Sequence, residues 1–375
     1  MNAPLWPSAR RNVWPGVKRS AWQNARSRLW LTAWLATATL AAPPVLGAPT
    51  VDVLNQPAVQ SPQALHGVLQ AITRAADRLV AVGERGTVLL SDDNGEHWRQ
   101  VPVPVSSTLT AVQFVGLQGW AVGHAGVVLH SSDGGERWTL QLDGRQMAAL
   151  ELAAAQADGD ERRLAAARQG VTDGADKPLL ALSFSDANHG LVVGAYGLAM
   201  ATDDGGASWV SWVGRLPNPQ GLHLYAVAQA DGQVYVAGEQ GLLMRSLDHG
   251  EHFAAVSTPY EGSYFSLVQQ GDGSVLLGGL RGKLFRVTRE GQTFTEVANP
   301  LPISINEMRL LGPHLVLVNQ AGGLLQASSD RSRLTPLALP PGPPLTAIAQ
   351  AADGTLVGVG FAGPVRLATP LNAAE

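Results

Sequence analysis

The 375-residue sequence contains no cysteine. Disulfides, thiol nucleophiles and cysteine-ligated zinc are therefore excluded, although the compartment is not fixed by that absence. Basic charge is scarce and uneven: Arg10, Arg11, Lys18, Arg19, Arg26 and Arg28 fall within the first 50 residues, which hold no acidic residue. Downstream, 20 basic residues face 30 acidic ones, a balance of −10. Binding a polyanion normally needs a basic footprint, so nucleic acid is not an expected partner. Long apolar runs are missing as well. The candidate LWLTAWLATATLAA, from Leu29 to Ala42, is about 14 residues long, short of the ~20 that a membrane-crossing helix requires. Basic residues precede it and the small-residue stretch Leu46–Ala48 follows, so residues 1–48 read as an export signal, with an uncleaved N-terminal anchor as the alternative. The remaining body, residues 49–375, is then exported and periplasmic, and membrane-associated if the anchor is kept.

What the sequence has in abundance is glycine, 42 residues, and repetition. The octet SDDNGEHW (Ser91–Trp98) returns as SSDGGERW, TDDGGASW and SLDHGEHF, then decays to VTREGQTF and SSDRSRLT. A second marker is a short G-x-x-G turn: GERG, GHAG, GAYG, GEQG, GLRG, NQAG and GFAG, closing at Gly86, Gly126, Gly197, Gly241, Gly282, Gly322 and Gly363. Apart from one gap, the closing glycines recur roughly every 40 to 44 residues, the period of a four-stranded propeller blade. A third marker stays in register about 17 residues earlier: LQAI, LTAV, LLAL, LYAV, YFSL, INEM and LTAI.

Within each unit the apolar runs have strand length and are bounded by turn residues. Strand A holds the Leu-x-Ala-Val stretch, B ends at the first glycine, C follows the second, and D starts at the tryptophan. The sequence therefore predicts an all-β fold, a seven-bladed β-propeller of four-stranded blades. The octet joins C to D. Asp93, Asp133, Asp204 and Asp248 are expected to hold these turns through backbone N–H groups, while Trp98, Trp138, Trp209 and Phe253 plug the space against the neighbouring sheet. The seventh unit runs out before its octet, so residues 50–59 are expected to supply its outer strand and close the ring.

The one gap lies between units two and three. Residues 142–177 are rich in helix formers interrupted near Gly159, which predicts a short helical insert of two helices. In an up-and-down blade the D–A connections share an end of the ring with the G-x-x-G turns, and the octets lie at the other end. The first end combines constant glycine brackets with variable contents, the pattern of a binding surface on a fixed scaffold. The candidate partner-binding residues are Glu84, Arg85, His124, Tyr196, Gln240, Arg281 and Phe361, with Arg162, Arg163 and Arg168 of the insert. The competing reading of each is a solvated turn residue.

Other chemistries find less support. His249 and His252 in DHGEHF suggest a metal, but they occupy the variable positions of the fourth octet and no third ligand with matching spacing lies nearby. No G-K-[S/T] follows any G-x-x-G turn, which excludes a phosphate loop. No catalytic residue, metal, cofactor or small-molecule substrate is expected. The octets resemble the Asp-box (BNR) turns of sialidases, which would imply a glycoside hydrolase or a carbohydrate-binding propeller. The Arg-Ile-Pro motif of that family has no counterpart, only RLP at Arg215–Pro217, and the octet acids face the wrong way to form a catalytic pair.

The stretch SFSDANHGLVVGAYGLAMATDDGGASW, Ser183 to Trp209, resembles the photosystem II stability/assembly factor family, and most closely its bacterial envelope members. The likeness extends over the chain downstream of the signal. It implies a non-enzymatic propeller that binds a membrane protein or a subunit of an envelope complex during assembly, as in photosynthesis. Photosynthetic members carry an arginine patch, whereas here Arg85 and Arg281 are the only basic residues within the G-x-x-G turns.

Overall fold

The computed structural model describes residues 52–289, 291–339, 342–367 and 371. The segment read as an export signal lies outside the described residues. Blade 1 shows the unit: strand A (Leu69–Ala75), B (Arg78–Gly83), C (Val88–Ser91) and D (Arg99–Gln100), hydrogen-bonded in that order. Seven such antiparallel sheets follow in sequence order, six of four strands and the last of three. Strand B is almost wholly buried in every blade because its two faces meet two neighbouring sheets, which removes the alternation of a half-exposed strand. The core is accordingly a ring of interblade layers. Leu69, Ile72, Leu79 and Leu89 of the first blade pack with Ala347, Ala349, Val357 and Val359 of the seventh, so the ring closes face to face.

Each octet folds as a hydrogen-bonded turn around one hub that the sequence did not reveal. In the first blade Asp93 Oδ1 accepts from His97 N at 2.9 Å and from Ser91 Oγ at 2.9 Å, and Ser91 Oγ itself accepts from Gly95 N at 2.8 Å. Ser131, Thr202 and Ser246 repeat the hydroxyl's role toward Gly135, Gly206 and Gly250. The buried member of each turn is this hydroxyl, 1–3% exposed, and the aspartate sits at the surface. Trp138 and Trp209 are buried, and Trp98 and Phe253 are partly covered. Even the decayed octet of the sixth blade keeps an acid turn. Asp330 Oδ1 accepts from Ser332 N at 3.0 Å, and Arg331 takes the left-handed conformation (φ 58°) where the first four copies have Asn94, Gly134, Gly205 and His249.

The expected outer strand of the seventh blade is a correction: that sheet has three strands, and residues 53–61 run along the first blade instead. Ser106 N donates to Val53 O at 2.9 Å and Ala58 N to Val103 O at 3.0 Å. The physical reason is local. Strand D of the first blade is two residues long, so the backbone beyond it needs partners, and the incoming chain is the nearest source. A 3-10 turn at Pro62–His66 then crosses to the seventh blade, where Gly363 N donates to Gly67 O at 3.0 Å.

The insert comprises α1 (Gly144–Asp158) and α2 (Glu161–Asp173). Asp143 and Gln146 form a reciprocal capping box, and Gly159 ends α1 in the left-handed conformation (φ 72°). Met147 wedges the first helix against Gly126 of the second blade's G-x-x-G turn, where a Cβ would stand 2.1 Å from the methionine methyl. The insert therefore lies at the G-x-x-G end of the ring.

Candidate partner-binding face

The face is built by one backbone device used seven times. In every A–B pair the register slips at the second residue of strand A, leaving that residue opposite no partner. The bulged residues are Gln70, Thr110, Leu180, Tyr225, Phe265, Asn306 and Thr346, and all but Leu180 line the mouth of the central channel. A bulge re-aims a side chain that a regular strand would have laid against its neighbours. The same geometry crowds the first position of the turn, which is glycine in six blades and Asn319 in the sixth. A Cβ on Gly83 would lie 2.2 Å from Val68 O, and the carbonyls before strand A crowd Gly123, Gly194, Gly238, Gly279 and Gly360 to 2.1–2.2 Å. The next N–H answers that carbonyl, as Glu84 N does to Val68 O at 3.0 Å.

At the third position of five turns a non-glycine residue is held in the left-handed region: Arg85, Ala125, Tyr196, Gln240 and Arg281, with φ of 53–57°. Such conformations cost roughly 1 kcal/mol or more each and turn the side chain away from the sheet. Arg85, His124, Tyr196, Gln240, Arg281 and Phe361 are exposed, with Tyr196 at 61% and Phe361 at 59%. Glu84 is half-buried and accepts a long hydrogen bond from Val68 N, 3.4 Å. Arg162 and Arg168 are exposed on α2. Arg163 is not free for a partner: its guanidinium forks onto Glu151 with two 2.8 Å bonds and also pairs with Asp158. Both members are mostly buried, so this pair fastens α2 to α1.

The structure joins several of these residues to ones the sequence reading passed over. Glu239 takes Glu84's place in the fourth turn and accepts from His223 N at 2.8 Å, lies 2.9 Å from His223 Nδ1, and accepts from Tyr225 Oη at 3.4 Å. These contacts hold its carboxyl below the usual range against the opposing effect of burial. Burial, aided by this carboxylate, pushes the Tyr225 phenol up. Rings then follow one another across the rim: Tyr196 to His223 at 4.8 Å, His223 to Tyr225 at 6.2 Å, and Tyr225 to Phe265 at 5.2 Å. Tyr196 stands at one end, with Lys177 Nζ 5.8 Å from its ring, beside a pocket of about 390 Å³ lined by Met147, Ala148, Ala167, Leu198 and Val213. Phe265 stands at the other, in the channel. The missed signal was the variable x of the Leu-x-Ala-Val marker, where constant flanks enclose Gln, Thr, Leu, Tyr, Phe, Asn and Thr.

The channel cavity, about 610 Å³, has one carboxylate and one guanidinium among its lining residues. They bind each other: Arg309 Nε donates to Glu307 Oε1 at 2.7 Å, and Ile348 N donates to Glu307 Oε2 at 2.9 Å. Burial raises the Glu307 carboxyl's pKa despite these partners. The histidines of DHGEHF do not converge on a site, since His252 Nδ1 lies 2.8 Å from Asp248 Oδ2 within the turn while His249 N donates to Gly232 O at 2.9 Å. Among the described residues, one trio of potential metal ligands gathers within 4.8 Å, Asp93, Glu96 and His97, and its His97–Asp93 contact belongs to the first octet.

Comparison with known proteins agrees with this architecture. The Synechococcus sp. (strain CC9902) photosystem II assembly lipoprotein Ycf48 is 36% identical over 74 residues, 20% of this chain and 22% of that protein. The match thus spans less than a quarter of the relative's length. YCF48 from Cyanidioschyzon merolae superposes with a TM-score of 0.60 at 16% identity, covering 82% of this chain and 98% of that one. A structure of YCF48 bound to a D1 peptide gives 0.55 at 14% identity, covering 85% and 98%. At such identities the superpositions show the fold alone. The family model described as photosynthesis system II assembly factor YCF48 matches residues 69–148 and 163–309, breaking only inside the helical insert, and the chain belongs to that family.

Proposed function

We propose that this protein is an exported, non-enzymatic assembly factor that binds a segment of a membrane-protein subunit on the G-x-x-G face. The observation that carries the reading is the continuous aromatic path from the insert pocket through Tyr196, His223 and Tyr225 to Phe265 in the channel mouth. Large, rigid, partly exposed rings around a preformed depression are suited to peptide side chains. The propeller solved with a D1 peptide is a family member that takes such a ligand. Family membership and the lone, mutually paired Glu307 and Arg309 in the channel speak against the glycosidase alternative, which needs two cooperating carboxyl groups.

The Synechococcus relative is a lipoprotein. None of the 375 residues is a cysteine, so lipid linkage through a thiol has no site in this sequence. No helix among the described residues is long and apolar enough to cross a membrane. At the start of the described residues Asp52 Oδ2 pairs with Arg145 Nη2 of α1 at 2.7 Å.

A photo-crosslinking residue placed at Tyr196 tests the reading in the native envelope. Capture of a membrane-protein subunit there, and not from the same probe placed at Leu247 on the octet face, is the expected result. Absence of any membrane partner together with turnover of a sialoside would overturn it.

A further inference from the structure

One side chain on the rim carries a polar atom that the aromatic path leaves unused. Glu239 fixes His223 at three points: the backbone N and ring Nδ1 of His223 lie 2.8 and 2.9 Å from Glu239 Oε2, and Glu239 N donates to His223 O at 3.1 Å. Against the opposing effect of burial, the contacts from His223 hold the Glu239 carboxyl below its usual range, so it is ionised at neutral pH. A carboxylate only accepts. Nδ1 must therefore carry the proton, which in a neutral imidazole leaves Nε2 as an acceptor. Nε2 has no hydrogen-bond partner among the described residues, and it is open to solvent in a side chain 31% exposed. Its ring lies on the path between those of Tyr196 and Tyr225, 4.8 and 6.2 Å away.

We propose that His223 Nε2 is a specificity-determining acceptor, taking a hydrogen bond from a main-chain N–H of an extended segment whose side chains rest on the Tyr196 and Tyr225 rings. The inference rests on the reading of this face given above and adds the contact that sets the segment's register. Side chains on one face of an extended chain recur every two residues, about 7 Å, the scale of the steps between these rings. The amides between them arrive without partners of their own. A metal ion fits less well, because among the described residues no trio of potential ligands forms around His223. Protonation of Nε2 would set one N–H against another, so binding should fail in acid. The groups around the imidazole keep their charge between pH 8 and pH 5.5. Glu239 stays ionised, and burial, aided by that carboxylate, pushes the Tyr225 phenol up. Against burial, Asp176 and Asp173 hold Lys177, 5.8 Å from the Tyr196 ring, above its usual value.

Imidazole proton–nitrogen correlation spectra of the free protein at pH 8 test the premise. His223, assigned by its loss in His223→Asn, should show Nδ1–H and a bare Nε2, and the opposite tautomer would overturn the proposal. The segment captured by the crosslinking residue at position 196, made as a synthetic peptide, then serves as the probe in titration calorimetry. If no segment is captured, the reading of the face fails and this contact with it. N-methylation of one main-chain amide of the peptide should weaken binding to the wild type about five-fold or more and leave its affinity for His223→Asn unchanged. Asparagine keeps an N–H toward Glu239 but has no atom in the place of Nε2. His223→Gln restores an acceptor there and should recover most of the affinity. Lowering the pH from 8 to 5.5 should weaken binding to the wild type about ten-fold and leave His223→Gln unaffected. Equal affinity of the peptide for the wild type and His223→Asn at pH 8 would overturn the assignment while leaving the reading of the face intact.

Discussion

Thr346 Oγ1 donates to Leu69 O at 2.7 Å, joining the last blade to the first, and Thr110 Oγ1 repeats the contact to Leu179 O at 2.8 Å between the second and third. The seam of the ring is thus fastened by the same bulge-borne hydroxyl as an ordinary blade boundary. Thr346→Val keeps the shape and removes the donor, and should cost about 1 kcal/mol, as should Thr110→Val. The two sites belong to different blade boundaries and the double variant should be additive within about 0.5 kcal/mol. Urea unfolding checks both. A far larger loss at Thr346 would mean that the seam is the weak point of the ring.

Glycine substitutions separate close approach from mere flexibility. At Gly123 a Cβ would meet Thr108 O at 2.1 Å, whereas Gly170, inside α2, has no atom within 4 Å of that position. Gly123→Ala should destabilise by about 1–3 kcal/mol through overpacking of rigid backbone. Gly170→Ala should stabilise by about 0.5–1 kcal/mol, because the helix is kept and the unfolded chain loses freedom. Thermal midpoints measured side by side should move in opposite directions.

The octet aspartates set the response to acid. Hydrogen bonds from the turn lower Asp93 to about 2, led by His97 N, and Asp204 to about 2, led by the Ser208 hydroxyl. The Ser328 hydroxyl, ahead of Ser332, lowers Asp330 to about 2. Because these groups are depressed from 3.8, their contribution is present above that value and disappears as pH falls toward 2. The urea midpoint should therefore drop between pH 4 and pH 2. Asp204→Asn should have a lower midpoint at pH 7 and a shallower drop in acid. An unchanged slope in that variant would exclude the turn as the titrating element.

The repeat, the octet turns and the helical insert were legible because each is local: a turn residue and its partners lie within a few positions, as Asp93 and His97 do. The bulge was hidden for the opposite reason. Leu69 pairs with Gly83 and Ala71 with Val82, and no pattern in LQAI alone marks Gln70 as unpaired. Ring closure failed as an expectation because strand count per blade is a tendency, whereas the chain from Val53 onward satisfied whichever backbone edge lay closest. Arg163 looked like a surface cation because its partner, Glu151, lies 12 residues away on a second helix whose packing only the tertiary fold decides.

The aromatic path makes the last prediction, which separates a binding face from a structural one. Tyr196 is 61% exposed and can lose its ring with little effect on packing, so Tyr196→Ala should leave the thermal midpoint nearly unchanged. Phe265, half-buried at the channel mouth, should cost somewhat more stability when truncated. If both rings receive a partner's side chains, each alanine variant should weaken affinity about ten-fold or more for the crosslinked membrane segment, offered as a synthetic peptide. Phe253→Ala on the octet face supplies the converse, because its ring packs edge-on against Trp212 at 6.0 Å and should lower stability without touching affinity. Fluorescence anisotropy of the labelled peptide with the three variants gives the comparison. Equal affinities across all three would move the binding surface off this rim, whereas loss at positions 196 and 265 alone would fix it between the insert pocket and the channel.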